Sequence, residues 1–192
     1  MSYPSLVLKL PTWVDAVVDA AGDLRGADDA GRMRLAVELS RRSVEEGGGP
    51  FGAVVFDAGG QVIAPGVNLV VPAGASIAHA EVVALAIAQQ VVGDYDLGRG
   101  ERDLHLFTST EPCAQCFGAV PWSGVKRLVC GAATEDAEAI GFDEGPKPER
   151  WREALETRGI SVTCGVLRQD AAAVLRAYAD GGGPIYNGAV DA

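Results

Sequence analysis

Long apolar runs are what this chain of 192 residues has least of. Every hydrophobic stretch is broken by Glu, Gln, Pro or Gly well short of the roughly 20 residues that a bilayer-spanning helix needs. No positively charged leader precedes an apolar segment either, so neither a membrane partner nor a secretory signal is expected. Positive charge is also scarce, with 16 Lys and Arg against 26 Asp and Glu and a formal charge of -10. Non-specific nucleic-acid binding is carried by a Lys/Arg surface that releases counterions, and no basic stripe hides inside this acidic total, so no nucleic-acid partner is expected. There are only four cysteines and two histidines. Cys113 and Cys116 have ligand spacing, whereas Cys130 and Cys164 sit singly in apolar, strand-like runs, which is no disulfide framework. Reduced thiols and the missing leader together predict a soluble, cytoplasmic protein.

What is present is enough apolar side chain, 48% of the residues, to bury a sizeable core. The length is long for one small domain and short for two, which suggests one domain with appendages. The division expected is an N-terminal helical extension over 1–27, a main domain over 28–180 and a C-terminal tail over 181–192. Helices are predicted at 11–24, where Trp13, Val14, Val17, Val18 and Ala21 form one stripe, and at 29–46, stopped by Gly47-Gly48-Gly49-Pro50. The Val-rich run 51–56, the turn Asp57-Ala58-Gly59-Gly60 and the run 61–71 read as a β-hairpin, with Pro65-Gly66 arguing for a bulge or an edge. Helix 79–92, strand 103–109, helix 113–123, strand 125–131, helix 148–158, strand 160–164 and helix 168–180 then alternate. Such alternation gives an α/β fold with a mostly parallel sheet and helices on both faces.

Two short boxes carry chemistry. Cys113 and Cys116 lie three apart, on one face of a helical turn, so both sulfurs can reach one metal ion. His79 and Glu81 are two apart at the head of an alanine-rich helical pattern, and residues so spaced do not face each other on a regular helix. At least one of them must therefore stand in the non-helical approach to the first turn. That geometry lets the imidazole bind metal while the carboxylate reaches the metal's water without ligating it. Three protein ligands with an open fourth position mark catalytic zinc, whereas structural zinc closes its shell with four. A structural site with Cys130 or Cys164 as fourth ligand is the alternative that the residues leave open. His105, alternating with Leu104 and Leu106, reads as a strand residue.

The order H-x-E followed by P-C-x-x-C is the signature of zinc deaminases, and the chain resembles the cytidine and nucleobase deaminase superfamily, most of all the bacterial guanine deaminases. Besides the two boxes the resemblance takes in Pro50–Val55, Asn68, Gly141-Phe142-Asp143-Glu144-Gly145 and the tail Gly183–Asn187. It departs at Gln115, where methionine is frequent, and at the first 27 or so residues, which extend beyond the usual start. The fold it implies is three-layer α/β/α with a central mixed five-stranded sheet. The activity it implies is zinc-dependent hydrolysis of an amino-heterocycle by a homodimer. In that reading His79, Cys113 and Cys116 hold zinc and Glu81 is the general acid/base. Asn68 and the backbone at Ala80 contact the ring, and Phe51 and Phe142 could sandwich it. Tyr186 closes over the site, and Glu144, with Asp143 as runner-up, contacts the purine and shuttles a proton.

Guanine is the substrate that this reading puts first, because a carboxylate can accept hydrogen bonds from both N1–H and the 2-amino group. Another amino-heterocycle, of aminotriazine or adenine type, or adenosine in tRNA is the second enzymatic reading, with the acidic charge counting against tRNA. A zinc-stabilised interaction domain is the non-enzymatic one, and it leaves Glu81 unexplained.

Overall fold

The computed structural model describes residues 3–188. Its apolar runs form five strands, β1 (Gly52–Asp57), β2 (Val62–Val67), β3 (Leu104–Thr110), β4 (Arg127–Ala132) and β5 (Ser161–Thr163). They lie in the order β2-β1-β3-β4-β5. β1 runs antiparallel to both β2 and β3, whereas β3, β4 and β5 are parallel. The sheet is therefore mixed, as the resemblance implies, and not mostly parallel as the alternation alone suggests. The hairpin reverses the chain before the crossovers begin, so β3 meets β1 head to tail. β2 is an edge strand, which accommodates Pro65 opposite Val54, and the register irregularity lies further along, at Ile63, where Val55 pairs with Ala64 and Phe56 with Val62.

Eight helices among the described residues complete the layers: α1 (Trp13–Ala21), α2 (Asp29–Glu45), α3 (Val70–Ala73), α4 (Ala80–Val92), α5 (Ala114–Ser123), α6 (Thr134–Glu138), α7 (Trp151–Glu156) and α8 (Arg168–Asp180). The strands read as unbroken apolar runs because both faces of the sheet are covered. Ala53 and Val55 of β1 and Leu106 of β3 join one core with Ala84, Ala88 and Val120 of α4 and α5. Their neighbours Val54, Phe56 and Phe107 face the other way, onto Met33, Ala36 and Leu39 of α2. Phe56 and Phe107 meet edge to face at 5.2 Å. Truncating either to alanine costs about 3–5 kcal/mol, a large part of what holds a domain folded.

Three element boundaries differ from expectation. The strand predicted to run to residue 71 stops at Val67, because the Asn68 side chain accepts the Val70 N–H at 3.2 Å and turns the chain into α3. α6 was not expected at all, since its residues Thr134–Glu138 carry no apolar stripe. α7 is shorter than 148–158 and starts only at Trp151. α1 rests on its own chain by one face: Val14 is fully buried, and Trp13, Val17 and Ala21, half-buried, pack on the core beside α2. No helix among the described residues is long and apolar enough to cross a membrane.

Candidate active site

Two helix N-termini meet at the ends of the strands. His79 is the N-cap of α4, with extended backbone at φ -67° and ψ 153°, and Cys113 is the N-cap of α5 at φ -66° and ψ 175°. Neither side chain is spent on capping its helix. Both are therefore free for other bonds while the first backbone N–H groups lend the region positive potential. His79 thus occupies the non-helical approach that the two-residue spacing demands, and Glu81 lies inside the first turn. α4 reaches this place because β2 presents Gly66 to it: a Cβ there would stand 2.3 Å from the Ala80 carbonyl oxygen and 2.6 Å from the Ala84 nitrogen. Any side chain at 66 would push the His79 turn off the sheet.

The Nδ1 of His79 lies 3.4 Å from the Cys113 sulfur and 3.5 Å from that of Cys116. All three ligand atoms fall within 4.8 Å of one another. Metal–sulfur bonds of about 2.3 Å and metal–nitrogen bonds of about 2.0–2.1 Å at tetrahedral angles separate S and N by about 3.5 Å, so this donor set fits a metal ion. Among the described residues no other group of His, Cys, Asp and Glu side chains has such a spacing. Cys130 lies in β4 with its thiol against that of Cys164, apart from the cluster, so neither supplies a fourth ligand.

Charge in the cluster is unevenly held. The hydrogen bond from Cys116 lowers the Cys113 thiol to about 4, helped by His79, while the same bond and burial push Cys116 well up. Burial works against a charged His79, but the bond to Cys113 and the charge of Glu81 outweigh it and raise its pKa. Glu81, only 7% exposed, is raised by burial and by the Cys113 charge. A carboxyl held above its ordinary range is suited to giving a proton back after taking one.

A cavity of about 300 Å³ opens in front of the cluster. Glu81 and Cys113 form its floor, and Phe51, Asn68, Phe142, Glu144 and Tyr186 all reach its wall. Glu144 is 6% exposed, its Oε2 has no hydrogen-bond partner, and burial pushes it up to about 8. Asp143 beside it is exposed and accepts the Gly145 N–H at 2.9 Å, which makes it a turn residue. The Asn68 carbonyl oxygen is engaged by Val70, leaving its NH2 as the free donor. Phe51 and Phe142 do not sandwich anything: their centroids are 5.0 Å apart at 69°, an edge-on contact with no room for a ring between. They form one wall instead. Ala80 is fully buried and stands behind the lining.

The tail crosses this cavity. Tyr186 meets Phe142 at 5.0 Å, and the Asn187 side chain accepts the Asp143 N–H and donates to the Gly141 carbonyl, both at 2.9 Å. Residues 189–192, the end of the expected tail segment, lie outside the described residues.

Residues 27–132 match the profile of the cytidine and deoxycytidylate deaminase zinc-binding region. The chain belongs to this deaminase family. Over 113 residues the deaminase is 42% identical to the guanine deaminase of Bacillus subtilis, spanning 58% of this chain and 69% of that one. The solved structure of a guanine deaminase from Nitrosomonas europaea superposes with a TM-score of 0.86 at 45% identity, covering 94% of this chain and 99% of the other. A mutant of NE0047 in complex with 8-azaguanine gives a TM-score of 0.85 at 46% identity, over 94% and 98% of the two chains.

Three side chains at the deaminase site escaped sequence reasoning. Gln115 lines the cavity mouth and Asn187 pins the tail, and both lay in quoted motifs without a role. Glu111 binds the Thr134 N–H at 3.2 Å, the Thr134 hydroxyl at 3.0 Å and Arg152 at 2.5 Å, which lowers its pKa against the effect of burial. Its place one residue before Pro112 was the only signal.

Proposed function

We propose that this deaminase hydrolyses guanine to xanthine and ammonia, with zinc held by His79, Cys113 and Cys116. The observation that carries the reading is Glu144, a buried carboxyl whose Oε2 has no partner in the cavity wall. Guanine presents N1–H and the 2-amino group side by side, and an ionised Glu144 accepts from both. Adenine offers an unprotonated N1 at the corresponding edge, which repels an anion. A site built to bond such a group rejects analogues that lack it far more strongly than a pocket that merely fits their shape. The kinship with guanine deaminases, and with a protein that binds 8-azaguanine, supports the same choice.

Zinc in a three-ligand site supplies a nucleophile at neutral pH by lowering the pKa of water. The chain's own side chains do the rest. Glu81 takes one proton from the attacking water as its oxygen bonds to C2 of the base and gives it to the adjacent ring nitrogen; the second, from the hydroxyl so formed on C2, goes to the amine as the C2–N bond breaks and ammonia leaves. Glu144, ionised, orients the N1–H and 2-amino edge and is placed to relay that second proton from the C2 hydroxyl to the amine. The Asn68 NH2 donates to the heterocycle, while Ala80, behind the lining, makes no contact with it. Phe51, Phe142 and Tyr186 cover the ring and exclude water. Ammonia release measured on guanine, adenine, cytosine and their nucleosides tests the proposal: guanine should react on the order of 10⁴-fold faster, as expected where a buried polar group loses its partner. Comparable rates on adenine would sink it.

The reading includes a homodimer. Gln115 and Trp122, seven residues apart, share an outer face of α5, and Trp122 is 80% exposed. The Gln115 amide reaches the carbonyl of Ile77, itself 50% exposed, so an apolar surface adjoins the cavity mouth. Light scattering at micromolar concentration should give twice the chain mass; a clean monomer would rule the dimer out.

A further inference from the structure

Residues 139–150, which carry Glu144, contain neither helix nor strand. Something other than a backbone ladder must hold the carboxyl in place. One tie is the Ala114 N–H, which donates to the Glu144 carbonyl oxygen at 2.8 Å. The other is a side chain three residues on. Lys147 Nζ donates to the Pro112 carbonyl oxygen and to Thr134 Oγ1, both at 2.7 Å. The Thr134 hydroxyl gives its own proton to Glu111, which leaves it a lone pair for the lysine. Arg152 binds the other oxygen of Glu111. Trp151 lies against both cations, 4.9 Å from Lys147 Nζ and 5.4 Å from the Arg152 guanidinium carbon. The contacts close into a ring around the peptide bond that precedes the ligand Cys113. A lysine serving solubility alone would turn its ammonium to water, whereas this one spends two of its three protons inside the protein.

We infer that Lys147 is a positioning residue, which sets the place of the Glu144 carboxylate relative to the metal-binding turn by clamping Pro112 and Thr134. The inference rests on the reading that Glu144 faces the base. A displacement of about 1 Å at a reacting group can cost on the order of a hundredfold in rate. Lys147→Met should therefore lower kcat/KM on guanine by roughly ten- to a hundredfold while zinc content and Tm stay at their original values. Lys147→Arg, which keeps a cation able to reach the same acceptors, should recover most of the loss.

The deciding experiment is a double-mutant cycle with Glu144→Gln, with zinc content measured on every variant. If Lys147 acts through Glu144, adding Lys147→Met to Glu144→Gln changes kcat/KM by no more than about twofold. The same fractional loss in both backgrounds overturns the inference and makes Lys147 a general structural support. So does loss of zinc in Lys147→Met, or no loss of rate in that single variant. An unimpaired Glu144→Gln is a different failure: it removes the role given to Glu144 itself, and the inference falls with its premise.

Discussion

His79, Glu81, Cys113 and Cys116 stand at the heads of α4 and α5, helices that rest on the sheet, whereas Glu144 and Tyr186 stand on stretches without regular structure. The first region is fixed by backbone ladders and by close approaches such as that at Gly66. The second is fixed by individual side chains, among them Asn187, Lys147 and the Phe142–Tyr186 contact. One half of the cavity is thus rigid by construction and the other is adjustable residue by residue. In the function proposed above, bond-making belongs mainly to the rigid half and the choice of base to the adjustable one. Change in the loops can then alter the substrate without dismantling the chemistry.

The largest expected effect breaks the rigid half. Cys113→Ser should lose both the metal and all measurable turnover, and Cys130→Ser should keep both, as read by metal analysis alongside ammonia release. If Cys130→Ser released the metal, a closed four-ligand site would replace the open one. Next comes Glu81→Gln, which should retain metal and Tm yet lose roughly 10²–10⁴-fold in kcat. Loss of metal in this variant would make Glu81 a ligand, and near-normal turnover would take away its acid/base role.

A smaller effect sharpens the other half. Burial pushes the Glu144 carboxyl up to about 8, so it is mostly protonated at pH 7 and ionises as pH rises through 8. A base that donates two hydrogen bonds to it needs the ionised form. kcat/KM on guanine should therefore climb from pH 7 and level off above about 9, a gain of roughly tenfold, with the limb absent in Glu144→Gln. A profile that falls over that window would show that the protonated acid is the working form.

The candidate metal-binding cluster of His79, Cys113 and Cys116 was legible in the sequence because its geometry is local. A spacing of three places two sulfurs on one turn, and a spacing of two forces one residue of the His79–Glu81 pair out of the helix. The mixed sheet and the loop residues were legible only through family resemblance, since nothing in the spacing of Glu144 or Tyr186 says what they face. Asn68 shows the converse loss. The valines at 67, 70 and 71 read as continued strand, and the turn made by one asparagine side chain overrode them. Lys147 could not have been found, because its partner Pro112 is 35 positions away and the bond is to a backbone carbonyl that every residue carries.

Gly49 makes room for the Tyr186 phenol that lines the cavity. A Cβ on this residue would fall 2.0 Å from the Tyr186 hydroxyl, so the phenol fills the space that any other amino acid at 49 would claim. One hydrogen atom in place of a methyl group thus decides whether the tail can seat, and with it how tall a molecule fits beneath. In the function proposed above, a free base is flat and fits beneath Tyr186, while a nucleoside carries a sugar that must stand up somewhere. The seat of the tail is thus decided at a position outside the cavity lining, in a residue whose contribution is the side chain it does not have.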